Sequence, residues 1–168
     1  MAKTYLDQLV EYPAKIIKKI SEDEHCVGLM VNKNSEKVTE DDSDKVLDEN
    51  IFDYQYVDET TKEAAAYVWV EMEVPYVDNK HIKGTRIYVT IACHKSYMKL
   101  NASEFRGMTG NRRDNLVRYI DKLLNEAQLM GIGALSLQSV KTLTPINGFV
   151  MREITYSVPD FNIVEIDE

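Results

Sequence analysis

Two stretches of strict alternation constrain this chain most. In AAYVWVEMEV (65–74), Ala66, Val68, Val70, Met72 and Val74 fall on one face, with Tyr67, Trp69, Glu71 and Glu73 on the other. In RIYVTIACHK (86–95), Ile87, Val89, Ile91 and Cys93 repeat the pattern. A side-chain period of two belongs to β-strands with one buried face. The connection PYVDNKHIKGT carries Pro75, Asp78-Asn79 and Gly84, residues that supply turn geometry. The two runs therefore predict a long antiparallel hairpin, whose tip from Val74 to Arg86 is too polar to bury and should protrude.

Around this hairpin the period changes. Leu6, Leu9, Val10, Pro13, Ile16, Ile17 and Ile20 recur at three and four, which predicts an N-terminal helix from about residue 4 to 21, with Pro13 kinking it or opening a second one. The apolar run CVGLMVN (26–32) reads as a short buried strand. IFDYQYV (51–57) alternates, with Phe52, Tyr54 and Tyr56 on one face. A second helix, at about 110–129, has Asn111 as N-cap, Asp114 in its first turn and a stripe of Leu116, Ile120, Leu123, Leu124 and Ala127. Strands around 134–143 and 148–158 follow, joined through Pro145-Ile146-Asn147-Gly148, and FNIVEIDE (161–168) is expected to run on as an extended arm. The sum is an α+β domain spanning 1–168: one antiparallel sheet with a long hairpin, packed against an N-terminal helix and a second helix.

Charge is concentrated. Between Asn34 and Glu63 lie eleven acids and three lysines, a surplus equal to the whole net charge of −8. Residues 34–50 offer almost nothing apolar to a core and read as a solvated acidic loop, an insertion in the domain. Asp41, Asp42 and Asp44 mark its most acidic point. A net acidic chain lacks the general basic surface that holds nucleic acid by counterion release. No apolar run approaches the roughly 20 residues of a bilayer-spanning helix, and the first residues lack the apolar core of a signal peptide. Two cysteines do not build a disulfide framework.

No connected chemistry emerges from the side chains. Nucleotide loops, nucleophile elbows and metalloprotease motifs are absent from the sequence. His25-Cys26 and Cys93-His94 are adjacent pairs, and neighbours on a strand point to opposite faces, so neither pair suits a metal. Glu71 and Glu73 share a strand face without a third catalytic group. The chain is expected to be no enzyme and to hold no cofactor. A basic cluster remains: Arg106, Arg112, Arg113, Arg118 and Lys122. Arg112 and Arg113 stand at a helix N-terminus, the electrostatically poor end for cations. They are ordinary surface charges, or they meet the acidic loop of another subunit, or DNA phosphate.

The segments TRIYVTIACHK, NRRDNLVRYIDKLLN and GIGALSLQSVKTLTPINGFVMREITYSVPDFN resemble, in element order, the tail terminator and other neck (tail-completion) proteins of long-tailed bacteriophages. The likeness covers about Tyr5 to Val158. It implies a virion protein of the neck, made in the host cytoplasm, whose copies form a homo-oligomer, a hexameric ring that terminates the tail tube and joins it to the head connector. Tail tube protein and head-connector proteins would be its partners, and DNA would pass through the lumen without specific binding. A head-completion or tail-tube-like role is the alternative within that class, and an acidic host-directed binding protein the alternative outside it. Subunit contacts are then expected at Arg112, Arg113 and Arg118, at the hairpin tip Asp78, Asn79, Lys80 and His81, and at Asp41, Asp42 and Asp44.

Overall fold

The computed structural model describes residues 7–77, 82–129 and 133–161. Its elements in order are α1 (Gln8–Ser21), α2 (Glu24–Val31), α3 (Glu40–Glu49), β1 (Ile51–Phe52), β2 (Ala66–Val77), β3 (Ile82–His94), α4 (Arg112–Leu124), β4 (Ser136–Ile146) and β5 (Phe149–Phe161). The strands make one five-stranded sheet in the order β1-β2-β3-β5-β4. Every pairing is antiparallel except that of β1, which runs parallel to β2 at Val68 and Trp69. The sheet is therefore mixed, a correction to the wholly antiparallel expectation. The α+β class stands. The arm expected beyond Phe161 lies outside the described residues.

The helices lie on one face of the sheet. Ile16 and Ile20 of α1, Leu29 of α2, Val46 of α3, and Leu116, Ile120 and Leu124 of α4 bury against Val68, Val70, Ile87, Val89, Ile91, Ile154 and Tyr156. α1 continues through Pro13 as one helix, so Pro13 does not open a second one. Two segments depart from the sequence reading. Residues 26–32 are not a strand: they lie in α2 and its cap, with Asp23 accepting from the Cys26 amide at 2.8 Å and Asn32 closing the end at φ 61°. Cys26, Val27, Gly28, Leu29 and Met30 are all buried, and a helix covered on every side shows no amphipathic period. The acidic segment 34–50 is not a solvated loop either. Thr39 and Asp42 form a reciprocal capping box, and Glu40 and Asp41 put further carboxylates on the positive end of α3.

On its opposite face the sheet is half covered. Tyr67, Trp69, Ala92, Phe149 and Met151 form a second buried cluster with Val57. The segment after β1 closes over it, with Tyr56 stacked on Phe52 at 4.0 Å between centroids. Only Ile51 and Phe52 of the expected strand 51–57 pair with the sheet; the rest is this aromatic cover. β4 and β5 join through Asn147 and Gly148 alone, at φ 45° and 84°. Positive φ at both central residues is what a two-residue type I′ hairpin requires, so the link is shorter than the sequence suggested.

Candidate assembly surface

Three of the expected contact residues, Asp42, Arg112 and Arg113, are buried within the subunit. Arg112, the first residue of α4, is 1% exposed. Its Nε donates to the Tyr97 carbonyl at 2.8 Å, its Nη2 to Asn32 Oδ1 at 2.6 Å, and its Nη1 to the Leu29 carbonyl. The guanidinium also lies over the Tyr97 ring, 4.0 Å from the centroid. Leu29 belongs to the last turn of α2, whose carbonyls have no partner inside that helix. Arg112 is thus a side-chain cap for α2, which explains a cation at the unfavourable end of α4: the attraction comes from another helix. Arg113 is also buried, with Nη2 2.9 Å from Asp114 Oδ1. Neither arginine is an exposed charge in the single chain: both are tied to groups of the subunit itself.

Asp114 holds this corner together. Burial alone would raise its pKa, yet the Asn111 hydrogen bond and the charges of Arg113 and Arg152 outweigh that and hold it below the ordinary carboxylate value. Asp42 is likewise structural: 2.7 Å from Lys33 Nζ, it is held low by that hydrogen bond first and the Thr39 amide next. Asp41, Asp44 and Arg118 are exposed. Asp78, Asn79, Lys80 and His81 lie outside the described residues.

Both thiols are buried, Cys26 in α2 and Cys93 on the helix-covered face of β3. Burial first raises the Cys26 pKa well above its usual value and pushes Cys93 up to about 12. Such thiols are poor nucleophiles. Among the described residues no three His, Cys, Asp or Glu side chains come together for a metal, and no helix is long and apolar enough to cross a membrane.

The sheet edges are the open feature. β4 closes the strand order on one side, and its outer backbone groups meet no strand among the described residues. It is long and largely exposed, with Leu137 38% and Val140 42% accessible on the helix-covered side. At the other edge β1 pairs only with Val68 and Trp69, so among the described residues no strand lies outward of Val70–Val77. The adjoining polar face carries Glu71 beside Tyr88, Glu73 beside Arg86 and Lys141 beside Glu153. The Tyr88 hydroxyl donates to Glu73 at 2.6 Å, a bond that raises the phenol pKa because ionisation would destroy it.

Sequence reasoning missed β4 as a site, although a signal was present. SLQSVKTLTPI is poor in large apolar residues and carries both a lysine and a proline, the marks of an edge strand. No curated protein matches the sequence. The family model YomW does match, over residues 22–158, which takes in every element from α2 to nearly the end of β5; the chain belongs to the YomW family.

Proposed function

We propose that the protein is a structural subunit of a phage neck, one copy of a ring that terminates the tail tube and joins it to the head connector. Membership of YomW points to a phage-associated protein. The observation that carries the finer reading is the pair of unlike open edges on one sheet, β4 at one side and the outer part of β2 at the other. Edges exposed to solvent favour association with another chain. Two different edges on one subunit provide the heterologous contact from which closed rings are made. The net charge of −8 suits a lumen that DNA traverses without sticking.

Reconstitution tests this reading. Purified protein mixed with tail tubes should form rings at tube ends, visible by negative-stain electron microscopy, and should arrest tube growth. Tubes that elongate unchanged, with no density at either end, would remove the neck assignment.

A further inference from the structure

We propose that copies of this chain join head to tail by antiparallel pairing of the outer edge of β4 with the outer edge of β2 in the next copy, in the register that sets Lys141 opposite Glu71. This rests on the subunit reading above and names the contact.

Strand direction comes first. From β2 to β3, β3 to β5 and β5 to β4 the chain reverses three times, so β4 runs opposite to β2. Copies repeated by rotation about an axis along the strands keep their strand directions. The β4 of one copy therefore meets the β2 of the next antiparallel, and the sheet continues across the joint.

Length comes next. The β4 ladder is regular from Ser139 to Leu143, between irregularities on either side. The β2 ladder is regular up to Glu73, where a register shift precedes Tyr76, and β1 occupies its outer side only as far as Trp69. The two regular stretches with no outer strand among the described residues are Ser139–Leu143 and Val70–Glu73, matched to within one residue.

Face and charge then choose the register. On β4, Val140 and Thr142 are in register with Ile154 and Arg152 on the helix-covered side, while Ser139 and Lys141 share the polar side with Thr155 and Glu153. On β2, Val70 and Met72 belong to the helix-covered side and Glu71 and Glu73 to the polar one. Setting Lys141 opposite Glu71 also sets Val140 opposite Met72, Thr142 opposite Val70 and Ser139 opposite Glu73. Half-exposed Val140 gains an apolar neighbour, and the lysine gains one acid directly across and Glu73 diagonally. A lysine on an edge normally discourages pairing; opposite a glutamate it makes the pairing selective.

Two charge reversals, Lys141→Glu and Glu71→Lys, separate the outcomes in analytical ultracentrifugation at low salt, with circular dichroism confirming that each variant folds. Each variant alone should associate at least tenfold more weakly than wild type, because like charges then meet at every joint. An equimolar mixture should regain wild-type association, because copies of the two variants in alternation restore opposite charges at every joint. Glu71→Lys probes the joint from the β2 side, where its in-register neighbour within the subunit is the neutral Tyr88, so the result does not depend on Lys141→Glu alone. Association that persists in both variants, or that mixing fails to restore, overturns the edge pairing while leaving the subunit reading intact. Wild type that stays monomeric at every concentration overturns the pairing, and if it also ignores tail tubes the subunit reading falls with it.

Discussion

Replacing Arg112 by Met keeps a flexible, unbranched apolar stem and removes every donor. The sequence alone suggests that losing a cation at a helix N-terminus would help slightly. The structure reverses the sign. Three acceptors, the carbonyls of Tyr97 and Leu29 and the Asn32 side chain, lose their partner together. Hydrogen bonds to a charged group contribute about 1.5–3 kcal/mol each. Against this, an apolar side chain no longer requires a buried charge, a relief of several kcal/mol. With the stacking on Tyr97 also lost, the net cost should be about 1–3 kcal/mol, the desolvation penalty of buried acceptors left unpaired. For a chain of this size that lowers Tm by about 2–12 °C. Arg112→Lys should fall between, since an ammonium cannot reproduce the three-way fork. Urea denaturation followed by circular dichroism, with m values compared, measures both. A Met variant within about 0.5 kcal/mol of wild type, the usual scatter of surface substitutions, would refute the claim that Arg112 caps α2.

Two further perturbations test the helical layer. A Cβ on Gly28 would stand 2.6 Å from the Lys33 carbonyl oxygen, a backbone atom that cannot step aside; Gly28→Ala should therefore destabilise by about 1–3 kcal/mol in thermal melts despite alanine's better helix propensity. The depressed pKa of Asp42 has its effect at the acid end: stability from its Lys33 and Thr39 contacts is complete above the unfolded value of about 3.9 and is lost as pH falls through the lower folded value. Asp42→Asn should lower stability at neutral pH and flatten the decline below about pH 4, measured as denaturation midpoints from pH 7 to 2; an unchanged acid limb would show that Asp42 does not contribute to it.

What the sequence made legible follows from how locally each element is determined. The β2–β3 hairpin was readable because alternation sustained over about ten residues fits a strand and no helix face. α4 was readable because Asn111, Asp114 and the Leu116-Ile120-Leu124 stripe agree. α2 was misread because burial on all sides erases the period that separates helix from strand. α3 was misread because Thr39-Glu-Asp-Asp42 looked like a charge run, whereas the same residues at that spacing are a capping box. At the candidate site, the local chemistry of Arg112 was visible but its partners were not: Leu29 lies 83 residues away in sequence. The open edges were invisible for a related reason, since strand order is a property of the assembled sheet.

The capping of α2 by Arg112 also sets a schedule for folding. Leu29, in the turn that ends α2, is synthesised 83 residues before the side chain that satisfies its carbonyl, an interval of roughly 4–17 s at translation rates of about 5–20 residues per second. Through that interval the nascent α2 carries orphan carbonyls in a segment destined for burial, so the helical layer cannot consolidate from its N-terminal end. It should lock only after α4 has arrived, because the Arg112–Leu29 contact must overcome the closure entropy of a long intervening loop.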